Sequence, residues 1–348
     1  MNAFESIPYV IPELVLTGVI VLIIVASFWE KFKQSRLVIT VVAVAGLILS
    51  IFSIQALDEN TALLFQGLLS HDSFAGFFKL IVLICTLFVF LCVYESYEIK
   101  DDVFSEFSII LLSCALGLCF FVSSVNLLML YLSLEFVSIT SYALTGFKKQ
   151  NRRSSEAALK YAVYGGVVSG IMLFGISYFY GLFGTLDLSA IKQGLILVFT
   201  QGATPGLKLT VLCASLFTFA GIGYKIAMVP FHMWSPDVYE GAPTPFTAFL
   251  SIAPKLAGIG VLIRFVFTGF VFENQVVANI PWPQILGLLS IITMTLGNLC
   301  ALTQKNIKRL LAYSGIAHCG YLLMGVSTIS SAGTVYSPSI FMPLFIFL

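Results

Sequence analysis

Long apolar stretches separated by short polar connections dominate the sequence. Ten stretches of about 20 residues lie near 8–29, 37–56, 74–94, 104–124, 125–147, 159–184, 208–234, 246–271, 283–302 and 310–328. An eleventh begins near residue 337 and continues to Leu348. A helix of that length crosses the hydrocarbon core of a bilayer, and the period-two alternation of barrel strands is missing. The pattern predicts an all-α polytopic membrane protein with ten to eleven transmembrane helices.

Basic residues are distributed unequally between the connecting loops. Counted from the N-terminus, the odd-numbered loops contain eleven Lys and Arg residues, whereas the even-numbered loops contain only Lys192 and Lys208. Cytoplasmic loops of membrane proteins carry the excess of Lys and Arg. We therefore expect the N-terminus on the outer, periplasmic face of the membrane and the odd loops on the cytoplasmic face.

Composition excludes several other classes of protein. Hydrophobic residues make up 59% of the 348 residues and charged residues 10%, which is too few charges to cover a water-soluble domain. A net charge of +1 provides no field that would attract nucleic acid. The longest hydrophilic stretch, 148–157, leaves no room for a nucleotide, flavin or iron–sulfur domain, and the seven cysteines have no CxxC spacing. We expect one transmembrane domain over 1–348, surrounded by lipid, with no cofactor or metal site.

Some ionisable residues lie close to the ends of the predicted spans. The four within about two turns of an end are Glu13, Lys79, Glu106 and Lys160. Long side chains in such positions can reach the headgroups, and Lys160 also has Glu156 four residues before it, a favourable pair on a helix. We interpret all four as side chains at the membrane surface.

Glu135 lies near the middle of its predicted span, 125–147. A charged side chain at the bilayer centre costs about 2.5–3.5 kcal/mol, and Glu is too short to reach the headgroups from there. Glu135 must therefore face protein or internal water, as a proton-carrying group. The alternative is a protonated carboxyl that makes a structural hydrogen bond between helices.

Two lysines lie deep in spans beside residues that disturb helices. Lys255 follows Pro254, and Lys225 lies between Gly223 and Pro230. Broken helices mark ion sites in transporters, so we expect departures from regular helix at both places. For Lys225, the alternative is an extended side chain that reaches the headgroups.

Two more ionisable groups complete this set. His318, within the stretch 310–328, is either a further proton carrier or a neutral packing residue. Arg264 is interpreted as an anchor or a subunit contact. A buried lysine keeps its proton beside a carboxylate and releases it more readily when the carboxylate moves away. Glu135, Lys225 and Lys255 together therefore predict a proton relay.

Two segments carry a resemblance to a known family. They are YKIAMVPFHMWSPDVYEGAPTPFTAFLSIAPKLAGIG from Tyr224 and KNIKRLLAYSGIAHCGYLLMG from Lys305. Both resemble the antiporter-like membrane subunits of respiratory complex I. The segment EGAPTPFTAFLSIAPK is most similar to the subunit N lineage. The resemblance implies a buried Glu on the fifth helix, a Lys on a broken seventh helix and a Lys on the eighth, which match Glu135, Lys225 and Lys255.

The resemblance also implies a fold and a function. The family fold consists of two inverted five-helix repeats, here a complete first repeat over 104–271, helices four to eight, and an incomplete second repeat over 283–348. Gly166 and Gly170 in the sixth span are typical of close helix packing. The implied function is proton pumping coupled to electron transfer from NADH to quinone. NADH, FMN, iron–sulfur clusters and quinone would bind to other subunits of the complex.

Alternatives to this function remain open. A subunit of a cation/proton antiporter or membrane-bound hydrogenase is one, and a pump-inactive scaffold is another. The partners are expected to be other membrane subunits in a bacterial inner membrane. Because the chain stops inside its eleventh stretch, we expect a truncated product, a fragment or one part of a split gene.

Overall fold

The computed structural model describes residues 1–30, 35–57, 61–200, 202–272, 275–276 and 280–332. Within these ranges the helices are α1 (Ala3–Ser6), α2 (Ile11–Ala26), α3 (Arg36–Ala56), α4 (Ser73–Tyr94), α5 (Phe104–Ser123), α6 (Leu127–Thr145), α7 (Arg152–Phe183), α8 (Leu188–Thr200), α9 (Pro205–Lys225), α10 (Ser235–Gly241), α11 (Thr244–Phe270), α12 (Trp282–Leu302) and α13 (Ile307–Ala332). Two antiparallel hairpins pair β1 (Ala62–Leu64) with β2 (Leu69–His71) and β3 (Val271–Phe272) with β4 (Gln275–Val276).

Ten helical segments in the described part of the chain are long and apolar enough to cross a bilayer. The predicted class, an all-α polytopic membrane protein, is therefore confirmed. The seventh span ends at Lys225 rather than near residue 234, and the sixth begins at Arg152 rather than near 159. Helix α8 is a short apolar helix in a connection where none was predicted. The eleventh stretch, from about 337, lies outside the described residues.

The chain divides into two compact units. The first consists of residues 1–124, 132–163 and 237–257, and the second of residues 125–131, 164–236 and the described residues from 258 onward. The boundary passes through helices α6, α7 and α11. The repeats over 104–271 and 283–348 stay predictions.

Close contacts between helices α2 and α3 organise the beginning of the first unit. Gly46 in α3 faces the side chain of Val19 in α2, where any added Cβ would collide. The Ser50 hydroxyl donates a hydrogen bond of 3.2 Å to the carbonyl of Pro12. At the other end of α3, Arg36 pairs with Asp101 and so ties the loop before α5 to this helix.

A tight turn sets the start of helix α4. Phe65, Gln66 and Gly67 all have positive φ, and they reverse the chain between β1 and β2. Asp72 then caps α4, because its carboxylate accepts a hydrogen bond of 2.6 Å from the amide of Ala75. This cap fixes where the helix begins and therefore which way its second turn faces.

An ion pair inside the first unit joins helices α2 and α4. Lys79 Nζ lies 2.7 Å from Glu13 Oε1, and the two side chains are 5% and 3% exposed. The interpretation of both residues as surface groups is therefore wrong. Each residue lies near the start of its helix, but its side chain faces the neighbouring helices. There the attraction between the two charges offsets part of the free energy lost when both are removed from water.

In the second unit, glycines allow helices to approach closely, but not the glycines expected from the sequence. A Cβ at Gly166 or Gly170 would meet nothing within 4 Å, so the prediction of close packing there is wrong. Gly175, farther along α7, packs instead against the backbone of α9, where a Cβ would come within 2.8 Å of the Ala214 carbonyl oxygen. Spacing alone does not reveal which face of a long apolar helix meets a neighbour.

We expect Lys79→Met to destabilise the protein, because it leaves the Glu13 carboxylate buried without its counter-charge. The expected loss of unfolding free energy is about 3 kcal/mol. Unfolding in detergent, followed by tryptophan fluorescence, measures it. The double variant Glu13→Leu with Lys79→Met should recover most of the loss, and Lys208→Met, at an exposed lysine, serves as the control. Equal stability of the Lys79→Met variant and the wild type would show that the pair contributes nothing.

Candidate functional site

Glu135 lies in the middle of helix α6. The residues beside it, Phe136 and Val137, lie against Gly117 of α5, where a Cβ would come within 2.7 Å of the Phe136 ring. Glu135 Oε1 is buried and has no hydrogen-bond partner among the described residues. A buried carboxylate oxygen is costly unless it is hydrated or protonated, so the position suits a group that exchanges protons.

Lys255 lies in the first half of helix α11 and is 4% exposed. Its ammonium nitrogen is 5.4 Å from the centre of the Tyr239 ring, within the range of a cation–π interaction. The break expected at Pro254 is not found, because α11 continues through this residue from Thr244 to Phe270. Pro254 has no N–H to donate, so one backbone hydrogen bond is missing here, but the chain is helical on both sides of this residue.

Lys225 is the last residue of helix α9 and is 1% exposed. This burial excludes the alternative of an extended side chain that reaches the headgroups. The carbonyl groups at the C-terminal end of a helix carry partial negative charge, which favours an ammonium group there. The break expected between Gly223 and Pro230 is confirmed, since the next helix begins only at Ser235.

The chain leaves helix α9 through a compact capping turn. Ala227 has a φ of 57°, its amide donates to the carbonyl of Tyr224 at 3.0 Å, and the amide of Met228 donates to Gly223 at 3.0 Å. This is the Schellman pattern, with alanine at the position that usually holds glycine. The Met228 side chain covers Gly223, where a Cβ would collide with it. The last carbonyls of the helix are thereby satisfied within the protein.

Helices α12 and α13 hold the irregular segment that follows Lys225. The amide of Val229 donates to the Thr293 hydroxyl of α12 at 3.2 Å, and the Cys319 thiol of α13 donates to the carbonyl of Ile226 at 2.8 Å. The indole of Trp234 donates to the Tyr224 carbonyl at 3.1 Å. Side chains from α12 and α13, together with Trp234 of the segment itself, therefore fix a stretch of chain that forms turns rather than a regular helix.

The exposure of the His318 and Arg264 side chains differs from what their positions in the spans predict. His318 is exposed on α13, with its ring 5.9 Å from that of Tyr321, while its neighbour Cys319 faces the irregular segment. Arg264 is 8% exposed, so its interpretation as an anchor or subunit contact at the surface is wrong. Side chains one position apart on a helix point about 100° apart, which is why the two adjacent residues of α13 face different surroundings.

The four predicted site residues divide between the two units. Glu135 and Lys255 belong to the first unit, and Lys225 and His318 belong to the second. The pairing of Glu135 with Lys225 stays a prediction.

Comparison with known proteins identifies the family. Residues 124–348 match the family described as NADH:quinone oxidoreductase/Mrp antiporter, transmembrane. NADH-quinone oxidoreductase subunit N of Anaeromyxobacter sp. (strain Fw109-5) is 42% identical over 92% of this chain and 64% of its own length. Subunit N of Chlorobium chlorochromatii is 41% identical over 94% of this chain and 64% of its own length. The chain belongs to this family.

Solved structures agree with that assignment. A chain of respiratory complex I from Thermus thermophilus, with bound aureothin, is 29% identical with a TM-score of 0.73, over 91% of this chain and 64% of that one. A chain of the archaeal membrane-bound sulfane sulfur reductase has a TM-score of 0.73 at 20% identity, over 99% of this chain and 70% of that one, and so shares the fold. The resemblance to subunit N is confirmed, and this family member spans about two thirds of the length of the relatives it matches.

A cluster of ion pairs in this family member was only partly foreseen. Lys160 Nζ lies 2.9 Å from Glu156, as helical spacing predicts, but it also lies 2.7 Å from Asp237 of α10. Arg153 pairs with Glu240 at 3.3 Å. The short helix α10 is therefore fixed to the start of α7 by two salt bridges, and no local signal in the sequence reports pairs so far apart.

Glu98 caps the helix that carries Lys255. Its carboxylate accepts hydrogen bonds from the amide and the hydroxyl of Thr244, at 2.8 and 2.7 Å, and lies 2.7 Å from Lys148 Nζ. Partial burial opposes ionisation, but the hydrogen bonds from Lys148 and Thr244 outweigh it and lower the pKa of Glu98 to about 2. A negative charge at this end of α11 also matches the helix dipole.

We expect Glu98→Gln to lower the melting temperature at neutral pH. The carboxylate stabilises the fold fully above its unfolded pKa of about 4.5 and loses that effect as the pH falls through its folded pKa of about 2. Because the pair is partly exposed, its contribution is about 1 kcal/mol or less. Melting curves in detergent should show a constant difference from the wild type between pH 8 and 5 that shrinks below 4.5.

The matched control is Glu95→Gln, at an exposed glutamate three residues earlier in the same loop. It should leave the melting temperature unchanged throughout. A Glu98→Gln difference that grew on acidification would contradict the assigned direction of the pKa shift.

Proposed function

We propose that this chain is a proton-translocating membrane subunit of an NADH–quinone oxidoreductase. It moves protons while other subunits of the complex carry electrons from NADH to quinone. The observation that carries the proposal is the burial of Lys225, 1% exposed, at the point where the seventh span breaks. Its relatives at 41–42% identity, named NADH-quinone oxidoreductase subunit N, support the same function.

Glu135, Lys225 and Lys255 have separate roles in the proposed relay. Glu135 is the counter-charge that holds a proton on the Lys225 ammonium. When this pairing loosens, Lys225 releases the proton toward Lys255, whose ammonium the Tyr239 ring accommodates. A change of about 1.4 kcal/mol in the strength of the pairing alters the proton affinity tenfold, so a small displacement is sufficient. The proposed relay continues to His318, on the exposed face of α13.

The proposed setting is a bacterial inner membrane, with the N-terminus on the periplasmic side. The partners are other membrane subunits of the complex, together with lipid. NADH, FMN, iron–sulfur clusters and quinone belong to the rest of the complex. In this proposal, residues 104–271 correspond to the first five-helix repeat and residues 283–348 to part of the second.

We expect Lys225→Ala and Lys225→Arg both to abolish proton pumping when introduced into a full complex. Alanine removes the proton carrier, and arginine keeps its proton at every physiological pH. Glu135→Gln should impair pumping, because Lys225 then lacks its counter-charge. The measurement is NADH-driven proton uptake into membrane vesicles, recorded together with quinone reductase activity and with assembly on native gels.

The matched controls are Lys208→Ala and Lys208→Arg, because Lys208 is an exposed lysine on the same helix, α9. Both should pump normally. Normal pumping by an assembled Lys225→Arg complex would exclude proton release from this lysine. Normal pumping by the Lys225→Ala complex would favour the pump-inactive scaffold. Pumping that required a metal cation in exchange, without NADH, would favour the cation/proton antiporter.

A further inference from the structure

The short helix α10 contacts two transmembrane helices within the first unit. Gly241 packs directly on α7, since a Cβ there would come within 2.5 Å of the Ala157 side chain and 2.6 Å of the Arg153 carbonyl oxygen. The carbonyl of Tyr239 accepts a hydrogen bond of 3.3 Å from the Thr247 hydroxyl of α11. The backbone of α10 is therefore in contact with both helices, and its position depends on both.

Two partly exposed ion pairs flank the middle of α10. Lys160 Nζ lies 2.7 Å from Asp237 Oδ2, and Arg153 Nη1 lies 3.3 Å from Glu240 Oε1. Both cations belong to the first three turns of α7. The two carboxylates come before and after Tyr239 in the sequence. The ion pairs therefore fix to α7 the part of the short helix that carries this tyrosine.

The ring of Tyr239 is buried against Lys255 of α11. Tyr239 is 0% exposed and Lys255 is 4% exposed, and the ammonium nitrogen lies 5.4 Å from the centre of the ring. The face of an aromatic ring carries negative partial charge, and it attracts a cation most strongly where water is excluded. A neutral amine lacks this attraction, so the ring favours the protonated form of Lys255.

We propose that Tyr239 is a positioning residue whose ring sets how firmly Lys255 holds a proton, and that the ion pairs of α10 keep the ring in place. The proposal rests on the proposed function, to which it adds control of one lysine of the relay. The ring itself transfers no proton. Loosening of the pair between Lys160 and Asp237 lets α10 and the ring move away, and Lys255 then binds its proton more weakly.

Fluorinated rings in place of Tyr239 test this role, because fluorine withdraws negative charge from the ring face and changes the ring size little. Tyr239→Phe keeps the ring, so a full complex in membrane vesicles should take up protons at close to the wild-type rate. Trifluorophenylalanine at this position, or Tyr239→Leu, should lower the initial rate of NADH-driven uptake about tenfold. The matched control is trifluorophenylalanine in place of Phe249, a buried ring on α11 that stacks on Phe246, and it should change nothing.

Asp237→Asn tests whether the ion pair acts through the ring. It should slow proton uptake about threefold in the wild-type background. In the complex with trifluorophenylalanine in place of Tyr239 it should cause no further loss, because the contact that the pair maintains is already weakened. The matched control is Glu156→Gln, which removes the other carboxylate beside Lys160 but lies on α7 itself. It should leave the uptake rate unchanged.

The possible outcomes separate this inference from the proposed function. If Tyr239→Leu does not assemble, the fluorinated ring decides the question. An uptake rate that the fluorines leave unchanged, beside an inactive Lys255→Ala, would overturn the role of the ring alone. A Tyr239→Phe complex as slow as Tyr239→Leu would overturn it too, since the hydroxyl would then be the active group. Equal losses from Asp237→Asn in both backgrounds would overturn the part assigned to the ion pair. Normal pumping by Lys255→Ala would instead overturn the proposed function.

Discussion

The interior of a bilayer offers no hydrogen-bond partners, so each polar group in a span must find its partner within the protein. The constraint is most severe where helix α9 stops at Lys225, because the last carbonyls of a helix lose their partners there. The capping turn at Ala227 satisfies them, even though alanine costs about 1–2 kcal/mol in that conformation. The contacts from Thr293 and Cys319 then fix the chain beyond the turn. A break built in this way is held by contacts on both sides of the turn, and it carries a buried lysine at the end of its helix.

Much of the fold could be predicted because span length is a property of single segments. Apolar stretches of the right length located all ten spans among the described residues. Their boundaries were predicted less well, because the residues that follow Lys225 are apolar enough to continue the pattern, and only Gly and Pro indicate the break. Contacts between helices could not be predicted. Gly166 and Gly170 have the spacing of a packing motif, yet Gly175 is the glycine that meets a neighbouring helix.

The candidate site also has a part that could be predicted from single segments and a part that could not. Glu135 and Lys255 could be selected because an ionisable group deep in a span is expensive. Lys225 was selected from Gly223 and Pro230 beside it, which predict a broken helix. Glu13 and Lys79 were misjudged for the corresponding reason, since closeness to a span end does not reveal which way a side chain faces. Partners remote in sequence were missed altogether. The contact of Lys160 with Asp237 and the contact of Glu98 with Thr244 depend on the tertiary arrangement of several helices.

The buried pair of Glu13 and Lys79 has a consequence for biosynthesis. Lys79 is synthesised 66 residues after Glu13, which at about 5–20 residues per second is a delay of about 3–13 seconds. For most of this interval the first span, which ends at Ala26, has been synthesised but its carboxylate has no counter-charge. The insertion machinery therefore has to keep that part of the helix near water or protein until the third span emerges. The membrane insertion of the first span is thus completed by a residue that belongs to another helix.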